Sequence, residues 1–146
     1  DDGVTYGHLG PAPEACVRET KDLPADTPLA ALYATEAYNL DGYRFHGLRP
    51  GRYRVRLYVK CGWPKGWKAG HWLNVIRLNG MTVRDPFDAF TAQGGDFNRP
   101  VTDLAFETEV GADGKIDLSF GLPAGYAGNG TVRFLNGIEI ERIKKK

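Results

Sequence analysis

Past the opening Asp2-Gly3, five Asx-Gly pairs, Asp41-Gly42, Asn79-Gly80, Asp113-Gly114, Asn129-Gly130 and Asn136-Gly137, cut this sequence into short segments. Such pairs accept the positive φ angles of tight hairpin turns, so each is expected to reverse the chain between two strands. The segments between them alternate. Tyr53, Val55, Leu57 and Val59 fall on one side of a strand, and Arg52, Arg54, Arg56 and Lys60 on the other. Ile116, Leu118 and Phe120 alternate with Asp117 and Ser119, and Phe106, Thr108 and Val110 with Glu107 and Glu109. A period of two with one apolar and one polar face is the mark of antiparallel sheet, since parallel strands are covered on both faces and read as continuous apolar runs. No stretch sustains a helical period. The segment from Pro28 to Tyr33 is the best candidate for a single helical turn. The expected fold class is therefore all-β, an antiparallel β-sandwich of jelly-roll type.

With 146 residues the chain fits one domain with one core, and 42% apolar and 25% charged residues are ordinary globular proportions. Residues 8–28 carry Pro11, Pro13, Pro24 and Pro28 among spaced charges without periodicity, and read as a loop that wraps the sandwich. The start, Asp1-Asp2-Gly3, has no basic and apolar run of a signal peptide and reads as a mature or excised end. No apolar run approaches the roughly 20 residues of a membrane-spanning helix. The formal net charge of +1 is more than accounted for by the tail Lys144-Lys145-Lys146, so the body offers no basic field to nucleic acid. Cys16 and Cys61 are too far apart for a metal or redox pair. They either form one disulfide, as suits an extracellular domain, or stand as two thiols.

Chemistry-bearing motifs are missing. The sequence holds no GxSxG elbow, HExxH, phosphate loop or GxGxxG, and His8, His46 and His71 have no partner at metal-ligand spacing. Glu107 and Glu109 read as a solvated salt-bridge face rather than a hydrolytic pair. No enzymatic activity and no cofactor are expected. Asp85, Asp88 and Asp96 leave room for a structural calcium ion, although their spacing matches no known loop. A hydrolase or lyase on the same frame is the minor alternative.

The segment from Cys61 to Trp72 sets Trp63, Trp67 and Trp72 among glycines, a proline and lysines, poor material for a core strand. Exposed tryptophans call for a partner, and sugar rings present C–H faces that stack on aromatic faces. Trp63 and Trp67 are read as exposed ligand contacts, with simple loop packing as the alternative. Trp72 begins a strand and is either core or contact.

Several spaced motifs carry a family resemblance. Leu32-Tyr33-Ala34-Thr35-Glu36-Ala37-Tyr38-Asn39, Tyr43-Arg44-Phe45 and Gly47-Leu48-Arg49-Pro50-Gly51-Arg52-Tyr53 are followed by Ile76-Arg77-Leu78-Asn79-Gly80 and Asn136-Gly137-Ile138-Glu139-Ile140. In this order, over about residues 29–143, the chain resembles the malectin and malectin-like domains. The resemblance implies a β-sandwich that grips a sugar through loops at one end. Tyr33, Tyr38 and Asn39 would lie in the tyrosine segment of that site, Trp63 and Trp67 in its aromatic loop, and Tyr126 and Asn129 in its last loop. Tyrosines also close sandwich ends by bonding to backbone, so Tyr33 and Tyr38 keep both readings. Asn129-Gly130-Thr131 also has the form of a glycosylation acceptor. The expected function is a secreted carbohydrate-binding module, glucan-directed by the resemblance and cut from a larger carbohydrate-active enzyme. The rival is a protein-binding scaffold.

Overall fold

In the computed structural model the described residues are 3–17, 23–60, 67–96, 99–127 and 133–144. They form eleven strands, all paired antiparallel: β1 (Thr5–Leu9), β2 (Glu14–Val17), β3 (Thr35–Tyr38), β4 (Gly42–His46), β5 (Gly51–Tyr58), β6 (Leu73–Leu78), β7 (Met81–Asp88), β8 (Ala105–Val110), β9 (Ile116–Gly121), β10 (Phe134–Leu135) and β11 (Gly137–Arg142). One sheet runs β1-β4-β9-β6-β7, and two three-stranded sheets run β10-β3-β2 and β11-β5-β8. No helix among the described residues is long and apolar enough to cross a membrane.

The alternation read in β5 holds. Tyr53, Val55, Leu57 and Val59 are buried, and across the core they face Ile76, Leu78, Ile116 and Leu118 of the five-stranded sheet. On the other face Arg52 and Arg54 meet Glu107, and Arg52 also meets Glu109. The two glutamates thus belong to a charged outer ladder, which salt and solvent keep weak. Lys60 departs from the pattern. It lies past the end of β5 and is buried, its backbone N–H donating to Asn136 Oδ1.

The turn expectation needs revision. Of the four pairs among the described residues only Asn79-Gly80 closes a hairpin, between β6 and β7, with φ of 49° and 79°; Asn129-Gly130 lies outside them. Asp41-Gly42, Asp113-Gly114 and Asn136-Gly137 instead sit where the chain leaves one sheet for another. An Asx-Gly pair reports a local backbone need and is silent about which strand comes next to which. At Gly42 the need is close approach, since a Cβ there would lie 2.1 Å from the Leu118 carbonyl oxygen. Passing repeatedly between layers in this way is what makes a jelly roll rather than a meander.

Residues 8–28 are not a loop throughout, because β1 and β2 fall partly or wholly within them. The helical turn expected near Pro28 is a 3₁₀ turn at Ala30–Ala34, and a four-residue helix α1 (Ala89–Ala92), unread in the sequence, follows β7. Asp88 caps α1 by accepting from Phe90 N and the Thr91 hydroxyl, and it also accepts from Gly70 N. With those donors Asp88 is committed to structure, while Asp96 pairs with Arg99. Among the described residues no three His, Cys, Asp or Glu side chains gather as metal ligands, which leaves the calcium expectation without a site there.

Candidate functional site

The tryptophan segment does not stand out from the sandwich as expected. Trp67 is only 5% exposed, its ring edge-to-face on Trp72 at 4.0 Å and on Phe134 of β10 at 5.6 Å. Gly70 takes a φ of 78°, and the turn it makes is tied down by its N–H to Asp88 and by the Tyr126 hydroxyl, which donates to the carbonyls of Gly70 and His71. The positive φ of Gly70 is therefore what lets the chain fold back after Trp67, whose indole plugs the core. Trp72 is half-buried against the core, its other neighbour His71 at 6.1 Å. Trp63 and Asn129 lie outside the described residues, as does Cys61. Cys16 stands in β2 across from Glu36.

The tyrosine segment divides between two places. Tyr33 is buried edge-to-face against Tyr58 at 6.4 Å, and the Tyr58 hydroxyl donates to Glu139. Burial raises the pKa of both rings above the usual tyrosine value, and the buried Tyr33 ring serves as packing. Tyr38 and Asn39 both turn to Glu14. Tyr38 donates from its hydroxyl and Asn39 from Nδ2, and these two bonds, Tyr38's the stronger, hold the Glu14 carboxyl below the usual glutamate range. Of the residues singled out in the sequence, Trp67, Trp72 and Tyr126 come together, Tyr38 and Asn39 form a second group, and Tyr33 a third. Tyr38 and Phe134 are register partners, so the first two groups adjoin through the Phe134 ring.

A recess with aromatic walls lies elsewhere, in a cleft of about 500 Å³ between the layers. Tyr6, Tyr43 and Phe45 line it from β1 and β4; Ala15 and Ala37 line it from β2 and β3. Tyr6 and Phe45 are direct partners in the β1/β4 register, their rings 6.0 Å apart and tilted by 35°. Tyr6 is 74% exposed, a large aromatic surface left facing water. Small alanines opposite leave the space that these rings border. Buried Glu36, with Thr35 and Asn136, makes up the polar part of its wall. A second recess of about 520 Å³ shares Tyr6, Phe45 and Ile138 with the first, making one groove along the inner side of β1.

Asn136 holds this cleft open. Its Nδ2 donates to the Thr35 carbonyl, its Oδ1 accepts from Lys60 N, and its own N–H donates to Tyr58 O. One side chain thus spans the two three-stranded sheets where the chain crosses from β10 to β11. Thr35-Glu36-Ala37, Tyr43-Arg44-Phe45 and Asn136-Gly137-Ile138, three of the motif segments that carry the family resemblance, all reach the walls of this cleft. The alternation of Val4, Tyr6 and His8 was the available signal for β1, hidden by its place beside the proline-rich stretch.

No family model and no curated protein matches the sequence. Solved structures match in fold. The ANX1 ectodomain of Arabidopsis thaliana, a malectin-like receptor-kinase ectodomain, superposes with a TM-score of 0.76 at 16% identity over 94% of this chain. A chain in the complex of the plant peptide RALF23 with FER and LLG2 gives 0.65 at 16% identity over 91%. The β-glucuronidase of Bacteroides uniformis gives 0.69 at 21% identity over 96%. This chain spans 40% of the length of the ANX1 chain and 14% of the glucuronidase, so each likeness is to one part of a larger protein.

Proposed function

We propose that this chain is a non-catalytic, extracellular carbohydrate-binding module that receives an oligosaccharide in the cleft beside Tyr6. The observation that carries the reading is the pairing of an exposed tyrosine with Phe45 on one wall of a recess whose opposite wall is built of small residues. Two adjacent ring faces suit the C–H faces of successive sugar units, and the exposed Thr35 can take hydroxyl hydrogen bonds. The fold likeness to a segment of a β-glucuronidase supports the view that the module serves a larger carbohydrate-active protein. The absence of nucleophile and metal motifs from the sequence fits binding without turnover.

Calorimetric titration with a panel of oligosaccharides tests this. A responsive glycan should lose about tenfold to a hundredfold in affinity with Tyr6→Ala, on the order of 1 to 3 kcal/mol, while the exposed position leaves the melting temperature in place. A panel with no responder would end the carbohydrate reading. The rival is a protein ligand for the same ring surface, which draws support from the peptide complex among the fold matches.

A further inference from the structure

We propose that β1 is a self-pairing edge, through which two copies of this chain join antiparallel about Gly7 and fuse their five-stranded sheets into one of ten strands. The proposal stands apart from the carbohydrate reading. It starts from a contrast among the strands that end each sheet. A free strand edge is a row of unpaired N–H and C=O groups, which proteins guard with charge, proline, bulges or brevity. Five of the six edges here are guarded. β7 carries Arg84, Asp85 and Pro86 and a broken register against β6; β8 carries Glu107 and Glu109. β11 carries Glu139, Glu141 and Arg142, β2 carries Glu14, and β10 is two residues long.

β1, with the sequence Thr-Tyr-Gly-His-Leu, has none of these guards. It pairs with β4 in unbroken register over all five residues, and among the described residues nothing pairs with its other edge. A regular, neutral, exposed strand with a glycine at its centre is a template for another strand.

Its sequence favours a second copy as the occupant. A two-fold axis through Gly7 sets Gly7 against Gly7, Tyr6 against His8 of the partner subunit, and Thr5 against Leu9 of the partner subunit. No like charges meet, and a ring stands across from a ring, which favours cross-strand pairing. Antiparallel pairing of this kind has its axis perpendicular to the sheet, so the two Tyr6 grooves would open on the same face of the joined sheet.

Sedimentation velocity over a concentration series reads the association directly. Wild type should shift from monomer to a species of twice the mass. A Cβ at Gly7 meets nothing within 4 Å, so Gly7→Lys fits the single chain and brings two like charges together at the axis. It should raise the dimer Kd by about tenfold or more. Gly7→Thr, neutral and strand-favouring, should keep the dimer. Hydrogen exchange on wild type supplies a readout free of mutation, in which amides of residues 5–9 gain protection as concentration rises. Wild type that stays monomeric at about millimolar concentration, a dimer indifferent to Gly7→Lys, or exchange in β1 independent of concentration would each overturn the proposal.

Discussion

Asn136 and Thr35, 101 residues apart in sequence, are joined by a hydrogen bond of 2.9 Å from the asparagine Nδ2 to the threonine carbonyl. Because Asn136 Oδ1 also accepts from Lys60 N, the same side chain ties both three-stranded sheets. Replacing Asn136 by Ala leaves a donor and an acceptor without partners in partly buried surroundings, an expected loss of about 1 to 3 kcal/mol. Asn136→Asp keeps the acceptor for Lys60 N but turns an oxygen on the Thr35 carbonyl, so it should rescue only part. Urea unfolding midpoints measure both, and unchanged midpoints would remove Asn136 from the role of staple.

Trp67→Ala should behave as a core mutation. The ring is buried between Trp72 and Phe134, so truncation is expected to cost about 3 to 5 kcal/mol. Sugar affinity of the protein that remains folded should be retained. A variant that melts like wild type and loses affinity would return Trp67 to the binding surface.

Gly42→Ala should separate β4 from β9. The new methyl group would sit 2.1 Å from Leu118 O and 2.9 Å from Ser119 Cα, both backbone atoms with no side-chain freedom to yield. An expected loss of about 2 kcal/mol or more should appear as early melting, accompanied by faster amide exchange in β4 and β9. A melting point equal to wild type would show that the two strands can part without cost.

Stability should fall at both pH extremes for different groups. The Asp117 carboxyl is held below the usual aspartate range, chiefly by its hydrogen bonds from Arg44, and Glu14 is lowered by Tyr38 and then Asn39. A carboxyl lowered in the folded state adds stability above its unfolded pKa and loses it as pH falls through the folded value, so the acid loss belongs below about pH 4. Tyr33 and Tyr58 are raised, chiefly by burial. Their contribution is whole below the unfolded tyrosine pKa and is lost as pH climbs beyond about 10. Asp117→Asn should blunt the acid limb of a melting-temperature profile, and an unaltered limb would assign it to other carboxylates.

The fold class was legible because burial on one face imposes a period of two, visible in β5, β8 and β9 without knowledge of any partner. Pairing was not. Asp41-Gly42, Asp113-Gly114 and Asn136-Gly137 look like hairpin turns in sequence, yet each joins strands of different sheets, since the choice of neighbour is made by distant residues. The exposure of Trp67 was misjudged for a related reason. Trp67 has a loop-like context of glycines and lysines, and its burial depends on Phe134, which is 67 positions downstream in the numbering and absent from any local window. Tyr6 was missed because a five-residue strand beside Pro11 and Pro13 gives little periodicity to read. The salt-bridge reading of Glu107 and Glu109 succeeded because alternation alone puts both on the wet face, beside the arginines of β5.

The passage of the chain from layer to layer also governs how the protein must be made. Tyr53 of β5 takes Thr108 on one side and Arg142 on the other, so during synthesis this strand emerges long before either permanent neighbour. Such non-local closure is slow, placing folding in the regime of milliseconds to seconds typical of β-sandwiches. Throughout that wait Val55 and Leu57 form a sticky stretch open to the wrong partner. Arg52, Arg54 and Arg56, interleaved with them, act as gatekeepers, repelling other nascent copies until the glutamates of β8 and β11 arrive. Charges that contribute little to the finished sandwich thereby protect its yield.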